Sequence, residues 1–257
     1  MTADFLITGG TGTLGRLVVP RLRDAGAKLR VLSRHPGADT VVGDLTTGDG
    51  VDEAVDGVQT IVHCAGTAKG DDRKAEILVR AAQAAGVRHL LFISVVGADR
   101  VPVVSAVDRM SFGYYAAKRR AEEVIAGSGL GWTTLRATQF HNLTLTAVRQ
   151  IAKLPLALVP AGVRVQPVDA AEVADRLAGL ALGDPAGLVP DLGGPRVYGM
   201  DDLVRGYLTA TGRRRPIVRV RFAGRAYRAV RAGANLAPDH ATGVRTWEDF
   251  LAAHTGR

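Results

Sequence analysis

An α/β fold on a doubly wound parallel sheet follows from three features of this sequence. Apolar runs of strand length alternate with helix-patterned segments through the first half, several runs lack any polar break, and a glycine-rich turn joins the first run to the first helical segment. Phe5-Leu6-Ile7 and Leu90-Leu91-Phe92-Ile93 are continuous apolar runs, as expected of strands covered on both faces. In chain order the spacing predicts strands over residues 4–8, 28–33, 60–64, 89–94 and 132–135. Helices are expected between them over 14–25, 50–55, 73–85 and 110–126. Beyond Arg136 the pattern turns mostly helical, over 139–152, 170–181, 201–211 and 225–232, with short strands at 163–167 and 217–220. This second rhythm predicts a smaller α-rich C-terminal part.

Composition narrows the class. A chain of 257 residues with 47% hydrophobic and 23% charged residues has enough apolar surface for a large core, which excludes wholesale disorder. Met1-Thr2-Ala3-Asp4 lacks the basic and apolar regions of a secretory signal. The longest apolar candidate, 154–163, is interrupted by Pro155, Pro160 and Gly162 and falls short of the ~20 residues of a membrane span. No membrane partner is expected. The single cysteine, Cys64, excludes an intramolecular disulfide and fits a reducing cytoplasm, the expected location. The net charge of +8 is concentrated at the end, where twelve arginines and five acidic residues fall between 196 and 257. Arg213-Arg214-Arg215 is a basic run, but no stacking aromatics are interleaved with it, so nucleic acid is not the expected partner. His63, His89, His141 and His240 have no metal-ligand spacing, and no GxSxG nucleophile turn is present. No metal is expected.

The turn after the first strand reads Thr8-Gly9-Gly10-Thr11-Gly12-Thr13-Leu14-Gly15, which satisfies both GxxGxxG and GxGxxG. Glycines there allow a sharp turn, a close approach of backbone to a pyrophosphate, and close packing of the helix at Gly15. The helix N-terminus then presents N–H groups and a positive dipole end to the phosphates. Strand, glycine loop and helix together define a Rossmann-type dinucleotide site formed by Gly9, Gly10, Thr11, Gly12, Thr13, Leu14 and Gly15. After the second strand an acid would select NAD(H). Here Ser33-Arg34-His35 follows, with no acid before Asp39. A guanidinium at Arg34 suits a 2′-phosphate, with Arg16, just after Gly15, as a second candidate, so NADP(H) is favoured over NAD(H). The competing reading of Arg34 is a solvated surface arginine.

Tyr114 and Lys118 are four residues apart at the start of the expected 110–126 helix, hence on one face. A neighbouring ammonium would draw the phenol down from its ordinary value near 10, which suits proton transfer. Tyr115, three residues from Lys118, is the alternative phenol. Ser94 closes the fifth strand, either as a hydroxyl for a substrate oxygen or as one bonded to backbone. Phe140 and His141 follow the sixth strand, at the sheet edge where such folds bind ligands.

With these residues in view the chain resembles the short-chain dehydrogenase/reductase superfamily, in the extended or atypical branch that includes NmrA-like NAD(P)-binding proteins. TGGTGTLG is similar to its TGxxGxxG loop, and Val42-Gly43-Asp44-Leu45 to its GDL, which implies that Asp44, with Leu45 beside it, lies at the adenine. His63-Cys64-Ala65-Gly66 stands where the fourth strand passes the cofactor, which places Ala65 against it. Leu135-Arg136-Ala137-Thr138-Gln139-Phe140 resembles LRPTxF, Val168-Asp169-Ala170-Ala171-Glu172-Val173-Ala174 resembles VDVxDVA, and Leu192-Gly193-Gly194-Pro195 resembles LxGP. Departures are equally specific. One serine, Ser94, stands where two are usual, and the family serine aligns alternatively with Val95; Ala137 replaces a proline; and Asn142 is a free candidate for the fourth catalytic residue.

These readings give residues 1–153 as an NAD(P)-binding domain and 154–257 as a smaller, interleaved substrate-binding part. The expected protein is an NADP(H)-dependent oxidoreductase, monomeric or homodimeric, moving a hydride to or from a small carbonyl, alcohol or quinone-like substrate. Tyr114, Lys118 and Ser94 are its candidate catalytic residues, and Lys118 also holds the cofactor ribose. An epimerase or dehydratase, and a dinucleotide-sensing regulator without turnover, are the alternatives.

Overall fold

The computed structural model describes residues 4–37, 39–66 and 70–255. Through the first half the elements are β1 (Phe5–Thr8), α1 (Gly15–Asp24), β2 (Leu29–Ser33), β3 (Thr40–Val42), α2 (Val51–Val55), β4 (Thr60–His63), α3 (Asp71–Ala84), β5 (His89–Val95) and α4 (Ala106–Ala126). They are followed by β6 (Gly131–Ala137), α5 (His141–Lys153), β7 (Ala157–Pro160), β8 (Arg164–Val165), α6 (Ala170–Ala181) and β9 (Gly187–Leu188). The chain ends through β10 (Tyr198–Gly199), α7 (Met200–Ala210), β11 (Ile217–Val220), α8 (Arg225–Arg231) and α9 (Trp247–Thr255).

The chain forms two compact units that it visits alternately: 1–94, 113–136 and 171–190 in the first, and 95–112, 137–170 and 191–257 in the second. The first unit holds a seven-stranded sheet in the order β3-β2-β1-β4-β5-β6-β9, with parallel pairing of β1 to both β2 and β4. The order reverses between β1 and β4. That switch point is where a doubly wound sheet opens a crevice at the carboxyl ends of its strands. The expected α/β, doubly wound parallel sheet is present. All seven residues of β5 are buried, so its unbroken apolar run reflects cover on both faces. Against the sheet lie Ala75, Leu78, Val79 and Ala82 of α3, at the i, i+3, i+4, i+7 spacing of one helical stripe.

Four short strands lay below the reach of periodicity. β3 has three residues, β9 and β10 have two each, and β7 carries Pro160 within a segment that reads as a broken apolar run. The 163–167 strand shortens to Arg164–Val165, paired antiparallel with β10. α9 was also unannounced. α4 begins at Ala106, not at 110, because Ser105 and Asp108 cap it reciprocally: Asp108 N donates to Ser105 Oγ at 3.0 Å and Ser105 N to Asp108 Oδ2 at 3.1 Å. Tyr114 therefore lies well inside the helix.

In the second unit β7 and β11 form a parallel two-stranded ribbon. His141, fully buried at the start of α5, stacks on Phe250 with centroids 4.8 Å apart and on Trp247 at 6.0 Å. It is a core residue of that unit, which corrects its expected place at a ligand edge. Burial pushes its pKa down to about 4. His63 in the first unit is lowered to about 3 by the same cause. A depressed histidine favours the fold fully above its unfolded value near 6.5 and loses that contribution as pH falls toward the folded value. Urea midpoints should accordingly fall between pH 7.5 and 5, and His141→Phe should flatten the fall. An unchanged slope in the variant would refute this assignment.

Candidate functional site

Each glycine of the β1–α1 turn answers to a different neighbour. Gly9 has φ +68°, and a Cβ there would stand 2.7 Å from the backbone of Ala65. The ends of β1 and β4 thus touch through main chain. Gly10 backs onto β2, where a Cβ would meet Val31 Cγ1 at 2.6 Å. Gly15 was expected to let the helix approach a strand; its close contact is instead with the loop itself, since a Cβ would collide with the Gly9 carbonyl and Gly10 Cα. Gly12 differs from all three. A Cβ there meets only the Gly9 oxygen, at 3.2 Å, and Thr11, Gly12 and Thr13 are exposed. The loop is held by Gly12 N donating to Gly9 O at 3.0 Å and Arg16 N to Gly12 O at 3.1 Å. No side chain caps α1, and its first turn carries no acid. An acid-free helix start behind an exposed, Cβ-free backbone at Gly12 fits a pyrophosphate. Leu14 and Leu45 are 5% and 6% exposed, so either could serve such a ligand only through main chain.

Beyond β2, Arg34 is exposed, and the turn is fixed by His35 N donating to Ser33 Oγ at 3.1 Å. The first acid after it, Asp39, is engaged by Arg23 at 2.6 Å. Asp44 follows β3 and accepts from Thr46 N at 2.7 Å through Oδ1. Its carboxyl is held below the usual range by the Thr46 hydrogen bonds first, with Arg34 and Lys74 adding to them.

The chemistry-bearing side chains meet where β4, β5, α3 and α4 converge. Lys118 is 3% exposed, and its Nζ lies 3.2 Å from Asp71 Oδ2 and donates to the Ile93 carbonyl at 3.0 Å. The ammonium also sits 4.6 Å from the Phe92 ring centroid and 5.8 Å from that of Tyr114. A Cβ on Gly66 would fall 3.2 Å from this Nζ and 3.3 Å from Asp71 Oδ2. Ser94 is 4% exposed, and its Oγ has no hydrogen-bond partner among the described residues. An unspent buried hydroxyl costs about 1–3 kcal/mol, which a bound oxygen would recover.

Asp71 went unnoticed in the sequence. It opens α3 at zero exposure, and the readable signal was an acid at a helix start with Lys74 one turn on, 3.7 Å away. The expected tuning of the phenol is also reversed. Burial, and then the Asp71 carboxylate, push the Tyr114 pKa up. Lys118 lies 5.8 Å from the ring centroid and is held by Asp71 and Ile93, and the net shift of the phenol is upward. Burial likewise lowers the Lys118 pKa, with Asp71 opposing, and raises the Cys64 thiol to about 12. Tyr115 packs edge-on against Tyr114 with centroids 6.0 Å apart. Asn142 and Phe140 belong to the second unit, where Phe140 bridges Val168. Among the described residues no His, Cys, Asp and Glu cluster could hold a metal ion, and no helix is long and apolar enough to cross a membrane.

A doubly wound sheet with a glycine cradle at its switch point defines a dinucleotide-binding protein. The chain belongs to the NAD(P)H-binding family, whose model matches residues 9–178, in agreement with the resemblance to short-chain dehydrogenases/reductases. It is 32% identical over 151 residues to the (4-alkanoyl-5-oxo-2,5-dihydrofuran-3-yl)methyl phosphate reductase of Streptomyces griseus, covering 55% of this chain and 49% of that one. The chain spans about half the length of the first curated relatives it matches. Its fold is that of the NADPH-dependent quinone oxidoreductase of Escherichia coli complexed with NADPH, with TM-score 0.79 at 18% identity over 97% and 99% of the two chains. The Citrobacter sp. triphenylmethane reductase complexed with NADP(H) gives TM-score 0.77 at 18% identity over the same shares.

Gly12→Val should still fold, with a modestly lowered melting temperature, because its Cβ crowds only the Gly9 carbonyl oxygen at 3.2 Å, yet lose NADPH affinity at least ~10-fold. Fluorescence titration of NADPH decides it; unchanged affinity in a folded variant would remove the loop from the site.

Proposed function

We propose that this protein is an NADP(H)-dependent oxidoreductase that reduces a small carbonyl or quinone-like acceptor. One observation carries the reading. Gly9 of the cradle closes on Ala65, and the Lys118–Asp71 pair closes on the next residue, Gly66. Cradle and proton-handling groups are thus joined through one two-residue stretch of backbone. The relatives named above include reductases of a furanone phosphate and of quinones, which supports a conjugated acceptor.

The residues divide the work by their chemistry. A bound NADPH supplies the hydride. Gly12 and the N-terminus of α1 receive its pyrophosphate, and Arg34 the 2′-phosphate, with Asp44 near the adenine side. Lys118 has three N–H donors, of which Asp71 and the Ile93 carbonyl take two; the third remains for a ribose hydroxyl. Ser94 Oγ donates to the substrate oxygen as negative charge develops there. Tyr114 delivers the proton, and its raised pKa keeps it a neutral acid throughout the physiological range.

Two measurements test this. Calorimetry should give tighter binding of NADPH than of NADH, with Arg34→Asp erasing or reversing the preference; equal wild-type affinities would defeat the selector argument. A screen of carbonyls, enones and quinones should reveal NADPH oxidation, and Tyr114→Phe should slow carbonyl reduction by about 10²- to 10⁴-fold with NADPH affinity little changed. Because the acid is the protonated phenol and its pKa is raised, the wild-type rate should hold as pH rises into the alkaline range. NADPH binding without turnover of any acceptor would favour the sensor reading, and full activity in Tyr114→Phe would transfer the proton step to another donor.

A further inference from the structure

The β7–β11 ribbon of the second unit leaves an apolar face in solvent. Leu158 and Val218 are register partners, 46% and 40% exposed, and Leu156, just before β7, is 47% exposed. Phe222, two residues past β11, is 58% exposed and packs edge-on against Tyr227 at 5.7 Å between centroids. Ala157 N donates to Pro216 O and Ala161 N to Val220 O, so the strands run level from end to end. The ribbon is therefore bracketed by charge. Arg213, Arg214 and Arg215 lead into it, and Arg221 leaves it, all exposed and none in a salt bridge with the described residues. The acids of neighbouring α7 are already engaged: Asp201 by Arg219 and Arg205, and Asp202 by Arg205.

We infer that this ribbon is a docking face for an anionic lipid surface, with Leu156, Leu158, Val218 and Phe222 entering the interface and the arginines at both ends meeting headgroup phosphates. Charge complementarity selects the occupant. A second copy of the chain would bring the same arginines against these, and nucleic acid offers no apolar layer for three exposed aliphatic side chains. Lipid offers both an anionic plane and an apolar layer just beneath it, which is the order this face presents. The contact is a surface one and needs no spanning helix. It is independent of the proposed catalysis.

Sedimentation with extruded vesicles of equal parts phosphatidylglycerol and phosphatidylcholine tests it. The wild type should pellet with these vesicles, remain in the supernatant with pure phosphatidylcholine, and be released as salt is raised. Leu158→Asp with Phe222→Asp should weaken binding at least ~10-fold, and replacing Arg213, Arg214 and Arg215 by Gln should do likewise. Unchanged melting temperature and NADPH binding certify that both variants fold. Phe222→Trp supplies a second readout that does not rest on them: its emission should shift to the blue with the anionic vesicles. Failure of the wild type to pellet, retention by the double aspartate variant, or an unshifted tryptophan spectrum would each overturn the inference.

Discussion

Lys118 and Asp71 face each other at 3.2 Å with side chains 4% and 0% exposed. Two charges so far from water are costly, and their attraction offsets the cost only with good geometry and further hydrogen bonds. Here the Ile93 carbonyl supplies one such bond, and the Phe92 ring lies against the cation. The pair therefore ties α3 and α4 to the end of β5. Removing either partner would leave a buried charge, so the site's geometry and the first unit's packing depend on the same contact. The pair also adds to the ionic character of its surroundings: burial first, and then the Asp71 carboxylate, oppose ionisation of Tyr114.

Much of this was legible in the sequence because it rests on local pattern. Continuous apolar runs marked the strands of the central sheet, and the glycines marked the turn at its switch point. Tyr114 and Lys118 were found because helical spacing relates them. Asp71 was missed because its partner is 47 positions away in sequence, and no periodicity connects the end of one loop to the middle of another helix. Helical spacing places two residues on one face; it does not say where an ammonium points. The expected lowering of the phenol overlooked burial and the unseen carboxylate for that reason.

The missed elements share a cause. β9 and β10, with two residues each, are defined by their pairing partners and not by their own sequence. β7 survives a proline at its end because a two-stranded ribbon demands fewer backbone donors than a central strand. The earlier start of α4 is a different case. Ser105-Ala106-Val107-Asp108 carries a reciprocal cap, a local signal that lies ahead of the hydrophobic pattern from which 110 was read as the start.

Cys64 offers a consequence of a practical kind. Its thiol is raised to about 12 by burial, although Lys118 acts in the opposite sense. Thiolate is the reactive form, so in the folded chain this sulfur is chemically quiet at neutral pH. It is also the sole cysteine. Alkylation by a maleimide or iodoacetamide thus has a single target, and because the residue is only half-buried its rate is governed by how little thiolate the raised pKa leaves. The sulfur is in effect a built-in reporter of the electrostatics beside the buried ion pair.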